Sequence, residues 1–156
     1  MLQKLNSSIS PQLRYQVRYE EGVQSPGETL AKGSGSCRDF AALFIEACRC
    51  LGLAARFVSG YILAGSTSGS EASTHAWAEV YLPGGGWKGF DPTLGTLTTS
   101  QHVSVAVARL PVWASPISGS YLGPASAFLG MDTSVCVEEI GMNSLFQSSS
   151  AAIAHL

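Results

Sequence analysis

The sequence reads GSGSCRDF at residues 33–40, where a flexible Gly/Ser stretch meets the start of an amphipathic segment. Apolar residues follow at three- and four-residue steps, the spacing of one helix face, at Phe40, Leu43, Phe44, Ala47, Cys48 and Leu51. Ser36 is a suitable N-cap, Asp39 places negative charge in the first turn, and Gly52 is a suitable stop. The pattern therefore predicts a helix over residues 37–51 that begins at a cysteine.

The position of Cys37 suits a nucleophilic thiol. The first backbone N–H groups of a helix have no intrahelical partners and, with the macrodipole, amount to roughly half a positive charge. This charge favours the thiolate, which is the reactive form of cysteine. The alternative is a packed core thiol, because free cysteines are commonly buried and inert. We expect that packing role for Cys48, Cys50 and Cys136, which lie late in the helix or in a predicted strand.

Two strand-like segments downstream supply a base and a carboxylate. Residues 73–81 read STHAWAEVY and alternate so that His75 and Trp77 share one face. A Gly-rich turn then leads into WKGFDPT at residues 87–93, a predicted hairpin partner that ends at Asp91. A neighbouring carboxylate can orient an imidazole through its second ring nitrogen. The hairpin is therefore predicted to bring His75 and Asp91 together.

Each of these residues also has a structural interpretation. A histidine in a strand is often structural, and an aspartate before proline commonly starts a turn. Trp77 fits a place in the core as well as it fits the floor of a substrate groove. The competing bases are His102 and His155. His102 follows a segment without strong pattern and His155 lies near the C-terminus, so we expect neither to have rigid support. We therefore assign the base to His75 and its orienting carboxylate to Asp91.

The remaining segments predict a mixed helix and strand architecture. Branched and aromatic residues indicate further strands at 54–63, 103–107 and 134–140. A proline-led segment at 26–31 can form one helical turn, and residues 16–19 alternate like a short strand or the end of a helix. Gly, Pro and Ser predict irregular loops at 65–73 and 111–124. We expect one domain over residues 1–141 and a frayed Ser/Ala-rich tail over 142–156.

Composition narrows the class of protein. The chain has 156 residues, an apolar fraction of 46%, a charged fraction of 13% and a net charge of −2, which fit a globular domain and give no electrostatic case for a nucleic-acid partner. No signal-peptide core or apolar run of membrane-spanning length occurs, so we expect no membrane association and a cytoplasmic location. The cysteines lack paired C-x-x-C spacing. We therefore expect reduced thiols, no metal and no cofactor.

The stretches that carry these residues resemble the transglutaminase-like superfamily, in particular its bacterial cysteine peptidases. The resemblance runs from about residue 15 to about residue 123 and is most specific at GVQSP with ETL (22–30), GSCRD (35–39), LGLAARFVSGY (51–61), HAWAEVY (75–81) and GWKGFDPT (86–93). It implies an α+β, papain-like core, with the cysteine-bearing helix packed on an antiparallel sheet. It also implies that Cys37, His75 and Asp91 form a catalytic triad.

The resemblance further implies a β-rich domain ahead of the core, and this sequence begins almost at the core itself. We therefore expect apolar surface to be left bare and the chain to self-associate into a homo-oligomer through it.

These features predict a cysteine-nucleophile hydrolase that acts on peptide or side-chain amide bonds of a protein or peptide substrate. The oxyanion would be held by the Cys37 backbone N–H and a second donor, for which Gln24 is a candidate because its loop leads to the cysteine. An amine in place of water would make the enzyme a cross-linking transglutaminase. A third interpretation is a truncated, non-catalytic peptide-binding module. Hydrolysis is favoured because the bacterial relatives are thought to be hydrolases and because no acidic calcium-binding loop of the animal cross-linking type occurs in the sequence.

Overall fold

The computed structural model describes residues 1–63, 73–115, 119–127 and 130. Its helices are α1 (Leu2–Gln12), α2 (Pro26–Lys32) and α3 (Cys37–Cys50), with 3-10 turns at Pro111–Ala114 and Ala125–Ala127. Its strands are β1 (Arg14–Tyr15), β2 (Ser34–Gly35), β3 (Ala55–Ile62), β4 (Ser73–Leu82), β5 (Gly86–Asp91), β6 (Thr96–Leu97) and β7 (His102–Ala108). None of the helices in these ranges is long and apolar enough to cross a bilayer. The predicted strand at 134–140, nearly all of the predicted loop at 65–73, the tail at 142–156, Cys136 and His155 lie outside the described residues.

An antiparallel sheet forms the centre of the described part of the chain, with strand order β6-β5-β4-β3-β7. The β4–β5 hairpin and the strands predicted at 54–63 and 103–107 are confirmed. A short parallel pair, β1 with β2, lies immediately before α3. Together these elements confirm the α+β class, with a cysteine-bearing helix on an antiparallel sheet.

Helix α3 packs its apolar face on strands β3 and β4. The shared core includes Phe40, Ala41, Phe44, Ile45 and Cys48 of the helix and Phe57, Ala76, Ala78, Val80 and Phe90 of the sheet. The rings of Phe44 and Phe90 lie 5.3 Å apart, a contact that adds about 1 kcal/mol beyond the buried area. Cys48 is fully buried as predicted, but Cys50 is exposed and the packing prediction is wrong for it. Cys50 lies two residues beyond Cys48, which is a rotation of about 200° around the helix axis. Its side chain therefore points away from the sheet.

Helix α1 was not anticipated by the sequence pattern, and it contacts the end of β5. Its buried Asn6 donates from Nδ2 to the backbone carbonyls of Asp91, at 3.3 Å, and Thr96, at 2.9 Å. The alternation at residues 16–19 does not produce a helix or strand, so that prediction is wrong. The strand ends at Tyr15, although the Gln16 backbone N–H still donates to the Gly35 carbonyl of β2 at 2.8 Å. Beyond it, Arg18 is held by side-chain bonds with Asp39 and Arg38 at the start of α3.

Gly60 lies opposite His75 in the β3–β4 register, next to an irregularity in the β3–β7 pairing. A Cβ atom at this position would lie 2.0 Å from the carbonyl oxygen of Val103 and 2.9 Å from the Trp77 ring. Glycine is therefore required here for space. The close approach lets the Trp77 indole lie against the backbone of β3.

Candidate active site

Cys37 is the first residue of α3, as predicted, and Ser36 is its N-cap. The Asp39 carboxylate reaches back and accepts hydrogen bonds from the Ser36 backbone N–H and hydroxyl, both at 2.8 Å through Oδ2. These bonds satisfy a donor that the helix leaves unpaired and fix the direction of the first turn. The Cys37 side chain is partly buried and packs against the core. The backbone thus holds the thiol at the positive end of the helix.

Asp39 does more than supply charge to the first turn. Its fully buried carboxylate also accepts from the Arg18 guanidinium at 2.6 Å and from the Gln24 backbone N–H at 2.7 Å, both on Oδ1. Burial raises the pKa of Asp39, but the bonds from Ser36, Gln24 and Arg18 outweigh it and lower the pKa to about 2. The carboxylate therefore ties the loop before α2 to the start of α3. The role of Arg18 could not be predicted from the sequence, because no local pattern pairs residues 21 positions apart.

Gln24 lies in this same cluster. Its buried side chain donates from Nε2 to the Ser34 carbonyl at 3.3 Å and to Asp39 Oδ2 at 3.2 Å, so both amide protons have partners within the loop. Its Oε1 is buried and has no hydrogen-bond partner among the described residues. Service as an oxyanion donor would require Nε2 to leave one of these partners, so that role stays a prediction.

His75 and Asp91 meet where β4 begins and β5 ends. His75 Nε2 lies 2.7 Å from Asp91 Oδ2, while the other carboxylate oxygen, Oδ1, accepts the backbone N–H groups of Thr93 at 2.9 Å and Leu94 at 3.2 Å. Burial raises the pKa of Asp91, but the hydrogen bond and charge of His75 outweigh it and hold the pKa below its usual range. The Asp-Pro turn thus supplies hydrogen bonds to the same carboxylate that contacts the imidazole.

The protonation of His75 reflects both of its neighbours. Burial lowers its pKa, but the bonds and charges of Asp91 and Cys37 raise it, to about 9. Because Nε2 faces Asp91, Nδ1 is the ring nitrogen left for the Cys37 sulfur. The Tyr15 hydroxyl also interacts with Cys37; burial and then the charge of the sulfur raise its pKa. The thiol therefore has an imidazole and a phenol as neighbours.

His102 is a third side chain that contacts the pair of His75 and Asp91, and its place there was not predicted from the sequence. It begins β7, and its Nε2 lies 3.1 Å from Asp91 Oδ2, the oxygen that also contacts His75. Its side chain is only 3% exposed, so the prediction that His102 lacks rigid support is wrong. The cause is non-local, because β7 pairs with β3 and sets Ile62 opposite His102. Extending the predicted strand at 103–107 by one residue would have included it.

Trp77 packs beside both imidazoles. It is 3% exposed, and its ring lies 6.2 Å from that of His75 and 5.2 Å, nearly edge-on, from that of His102. The sharing of a face with His75 is as the strand alternation predicted. The indole covers one side of both imidazole rings. Its role as the floor of a substrate groove stays a prediction.

His75, Asp91 and His102 also have the residue types of a metal site, with potential ligand atoms within 4.8 Å of one another. The hydrogen bonds argue against that use. The Thr99 backbone N–H donates to His102 Nδ1 at 3.1 Å, which assigns the ring proton of the neutral imidazole to Nε2. A metal-binding nitrogen must carry no proton. The donor set therefore fits a hydrogen-bonded carboxylate better than a cation.

The arrangement is suited to acyl transfer. A thiol at a helix N-terminus, an imidazole beside it and a carboxylate behind the imidazole supply a nucleophile, a proton carrier and an orienting group. Cys37, His75 and Asp91, which were singled out from the sequence, are brought together in this order.

Comparison with known proteins indicates the family of this chain. A family model described as the transglutaminase-like superfamily matches residues 1–92. The chain is 37% identical over 109 residues to an uncharacterized protein of Mycobacterium leprae, covering 65% of this chain and 38% of that protein. It is 32% identical over 128 residues to an uncharacterized protein of Mycobacterium tuberculosis, covering 76% of this chain and 41% of that protein. The chain therefore spans less than half the length of these relatives.

A solved structure is similar as well. The crystal structure of "a Putative Cysteine Protease from Cytophaga hutchinsonii" matches with a TM-score of 0.60 and 30% sequence identity. The match covers 73% of this chain and 37% of that one.

Proposed function

Because this chain belongs to the transglutaminase-like superfamily, we propose that it is a cysteine-nucleophile hydrolase of peptide or side-chain amide bonds. The observation that carries the proposal is the placement of His75 between Cys37 and Asp91, with Nε2 on the carboxylate and a raised pKa. The description of the Cytophaga hutchinsonii protein as a "Putative Cysteine Protease" supports the same class of chemistry.

In the proposed cycle the Cys37 thiolate attacks the amide carbonyl carbon. The carbonyl oxygen becomes an oxyanion held by the Cys37 backbone N–H and a second donor, for which Gln24 is the candidate. The C–N bond then breaks as protonated His75 gives its proton to the leaving nitrogen. A thioester remains on the sulfur. Water attacks it and loses a proton to His75, and the acid product and the thiolate are released.

The raised pKa of His75 suits the acid half of this cycle. With a pKa of about 9 the imidazole is protonated at neutral pH beside Cys37, so a proton is ready for the leaving amine. Asp91 stays ionised throughout and holds the ring in one orientation. Its lowered pKa supports that assignment.

The test is to label the protein with a thiol-directed probe and to follow turnover on a peptide library. Cys37→Ala should remove labelling at that residue and all turnover, and keep the fold. Cys50→Ala is the matched control, because Cys50 is an exposed thiol on the same helix, far from the site. Equal turnover in the wild type and Cys37→Ala would refute the proposed nucleophile.

The same assay separates the alternatives. Adding a primary amine should leave the free acid as the main product if water is the second nucleophile, whereas an amide product would show a transglutaminase. Peptide binding without turnover by the wild-type protein would instead identify a binding module.

A further inference from the structure

We propose that His102 is a positioning residue for the proposed hydrolysis: its Nε2–H donates to Asp91 Oδ2 and holds the carboxylate in place for His75. The inference rests on the proposed function for its catalytic consequence. Its structural content concerns the hydrogen bonds around Asp91 and can be tested without a substrate.

The Asp91 carboxylate is held by four N–H donors. Oδ2 lies 2.7 Å from His75 Nε2 and 3.1 Å from His102 Nε2, and Oδ1 accepts from the backbone of Thr93 and Leu94. A carboxylate offers about four acceptor sites, so each is used by one donor. Rotation of the group would break several bonds at once. Removal of His102 leaves Oδ2 with His75 as its remaining donor among the described residues.

The two imidazoles have different freedom to exchange protons. His102 Nδ1 accepts the Thr99 backbone N–H at 3.1 Å, so the ring is assigned as the Nε2–H tautomer and can only donate to Asp91. His75 contacts the same oxygen, but its second nitrogen faces Cys37, where the proposed reaction takes place. His102 is therefore a fixed donor, and His75 is the ring whose proton moves.

Sharing one oxygen between two donors also divides its charge. The hydrogen bond from His102 lowers the pKa of Asp91, after burial, which raises it, and the larger lowering effect of His75. A carboxylate that already accepts one N–H attracts the second less strongly. His102 thus limits how strongly Asp91 stabilises the imidazolium form of His75 through its Nε2–H. The imidazolium must give the proton on its other nitrogen, Nδ1, to the amine in each cycle, so we expect the limit to help turnover.

The position of His102 is built into the fold. The Trp77 ring contacts it nearly edge-on at 5.2 Å, and the β3–β7 register fixes its backbone. A packing role alone would also explain a buried ring. Packing depends on the volume of the side chain, whereas positioning depends on the Nε2–H.

The experiment compares His102→Leu, which keeps apolar volume and removes the donor, with His102→Gln, whose amide N–H can replace Nε2–H. We expect His102→Leu to lower kcat roughly ten- to hundredfold, the worth of a hydrogen bond to a charged group. KM should change little because the His102 side chain is buried and offers a substrate almost no surface. His102→Gln should restore most of kcat. Equal kcat in His102→Leu and the wild type would overturn the proposal.

Histidine nitrogen NMR supplies a readout that needs no activity. At pH 8 the wild-type spectrum should show the proton of His102 on Nε2, and in His102→Leu the pKa of His75 should rise further because the charge of Asp91 is no longer shared. A proton on His102 Nδ1, or an unchanged His75 titration in His102→Leu, would overturn the positioning role. If His102→Leu does not fold, two other results test the positioning role: the tautomer of His102 in the wild type and the titration of His75 in His102→Gln. We expect that titration to lie near the wild-type value. A wild-type protein without turnover would refute the hydrolase proposal and leave these NMR outcomes decisive.

Discussion

Asp39 and Asp91 are both fully buried carboxylates, and each accepts several N–H groups, yet their partners differ. Asp39 is paired with the guanidinium of Arg18 and with the Ser36 and Gln24 donors. Asp91 is paired with the imidazoles of His75 and His102. A guanidinium keeps its charge at any pH a protein meets, whereas an imidazole changes charge near neutrality.

The difference separates the two halves of the site. The Asp39 cluster holds the start of α3, where Cys37 lies, with charges that do not change in the proposed cycle, and we interpret it as a static anchor. The Asp91 cluster surrounds a ring that must gain and lose a proton in the proposed cycle. If this distinction is right, equivalent substitutions in the two clusters affect different properties of the protein.

The largest effect on activity should come from His75→Ala, which removes the proton carrier from the Asp91 cluster. We expect a loss of turnover of at least four orders of magnitude, as for removal of a triad base, with a folded circular dichroism spectrum. Steady-state kinetics with the best peptide from the library measures it. A working His75→Ala beside a dead His102 variant would require the base to be reassigned to His102.

Asp91→Asn should reduce turnover by roughly two to four orders of magnitude and keep the fold. The amide keeps the shape of the carboxylate but loses the charge that stabilises the imidazolium. Its NH2 group also replaces one acceptor oxygen, so it cannot accept a hydrogen bond from an imidazole N–H. Turnover and urea unfolding measured on the same preparation test this. Activity within a fewfold of the wild type would show that Asp91 does not orient His75.

Asp39→Asn should show the opposite pattern, with stability as its main loss. Removing the buried partner of Arg18 should cost roughly 3 to 5 kcal/mol in the free energy of unfolding, measured by urea titration. Glu46→Gln is the matched control, since Glu46 is a half-exposed partner of Arg49 on the same helix and should cost less than about 1 kcal/mol. A stable Asp39→Asn protein would contradict the anchor interpretation.

The smallest effect should appear in the pH dependence of stability. Asp39 has its folded pKa lowered to about 2, so its contribution, on the order of 2 kcal/mol, is present above its unfolded pKa near 4 and is lost as the pH falls toward 2. Asp91, also lowered, adds to that acid loss. His75 has its folded pKa raised to about 9. Its contribution is therefore complete below about pH 6.5 and is lost as the pH rises toward 9.

Urea titrations from pH 3 to 8.5 measure the free energy of unfolding along both limbs of this pH profile, the acid loss and the alkaline loss. His75→Gln should flatten the alkaline limb and leave the acid loss attributable to Asp39. An alkaline limb that persists in His75→Gln would assign it to another group. Staying below pH 8.5 limits the contribution of Cys48, because its thiol ionises near pH 8.5 in the unfolded chain, whereas burial raises its pKa to about 11 in the folded protein.

The parts of this molecule that could be predicted from the sequence are those encoded by neighbours along the chain. Helix α3 was predicted from its apolar spacing and its ends, and the β4–β5 hairpin from alternation and a Gly-rich turn. The contact of His75 with Asp91 follows from that hairpin alone. Each of these signals lies within about 20 residues.

The remaining parts depend on contacts between distant segments. His102 reaches Asp91 because β7 pairs with β3, a register that no local pattern encodes. Arg18 was missed for the same reason. Helix α1 is polar over much of its length and contains Pro11, and it gains support from tertiary contacts such as those of Asn6.

The close approach at Gly60 has a consequence for how this sequence can vary. At position 60 the Cβ atom of any other amino acid would clash with the Val103 carbonyl oxygen and with the Trp77 indole. That indole packs beside both imidazoles. Gly27, by contrast, has an ordinary backbone and open space around it. In a library that randomises one codon at a time, position 60 should retain only glycine codons. Position 27 should accept the codons of many amino acids. A residue with no side chain thus carries as much information about the site as the residues proposed to do the chemistry.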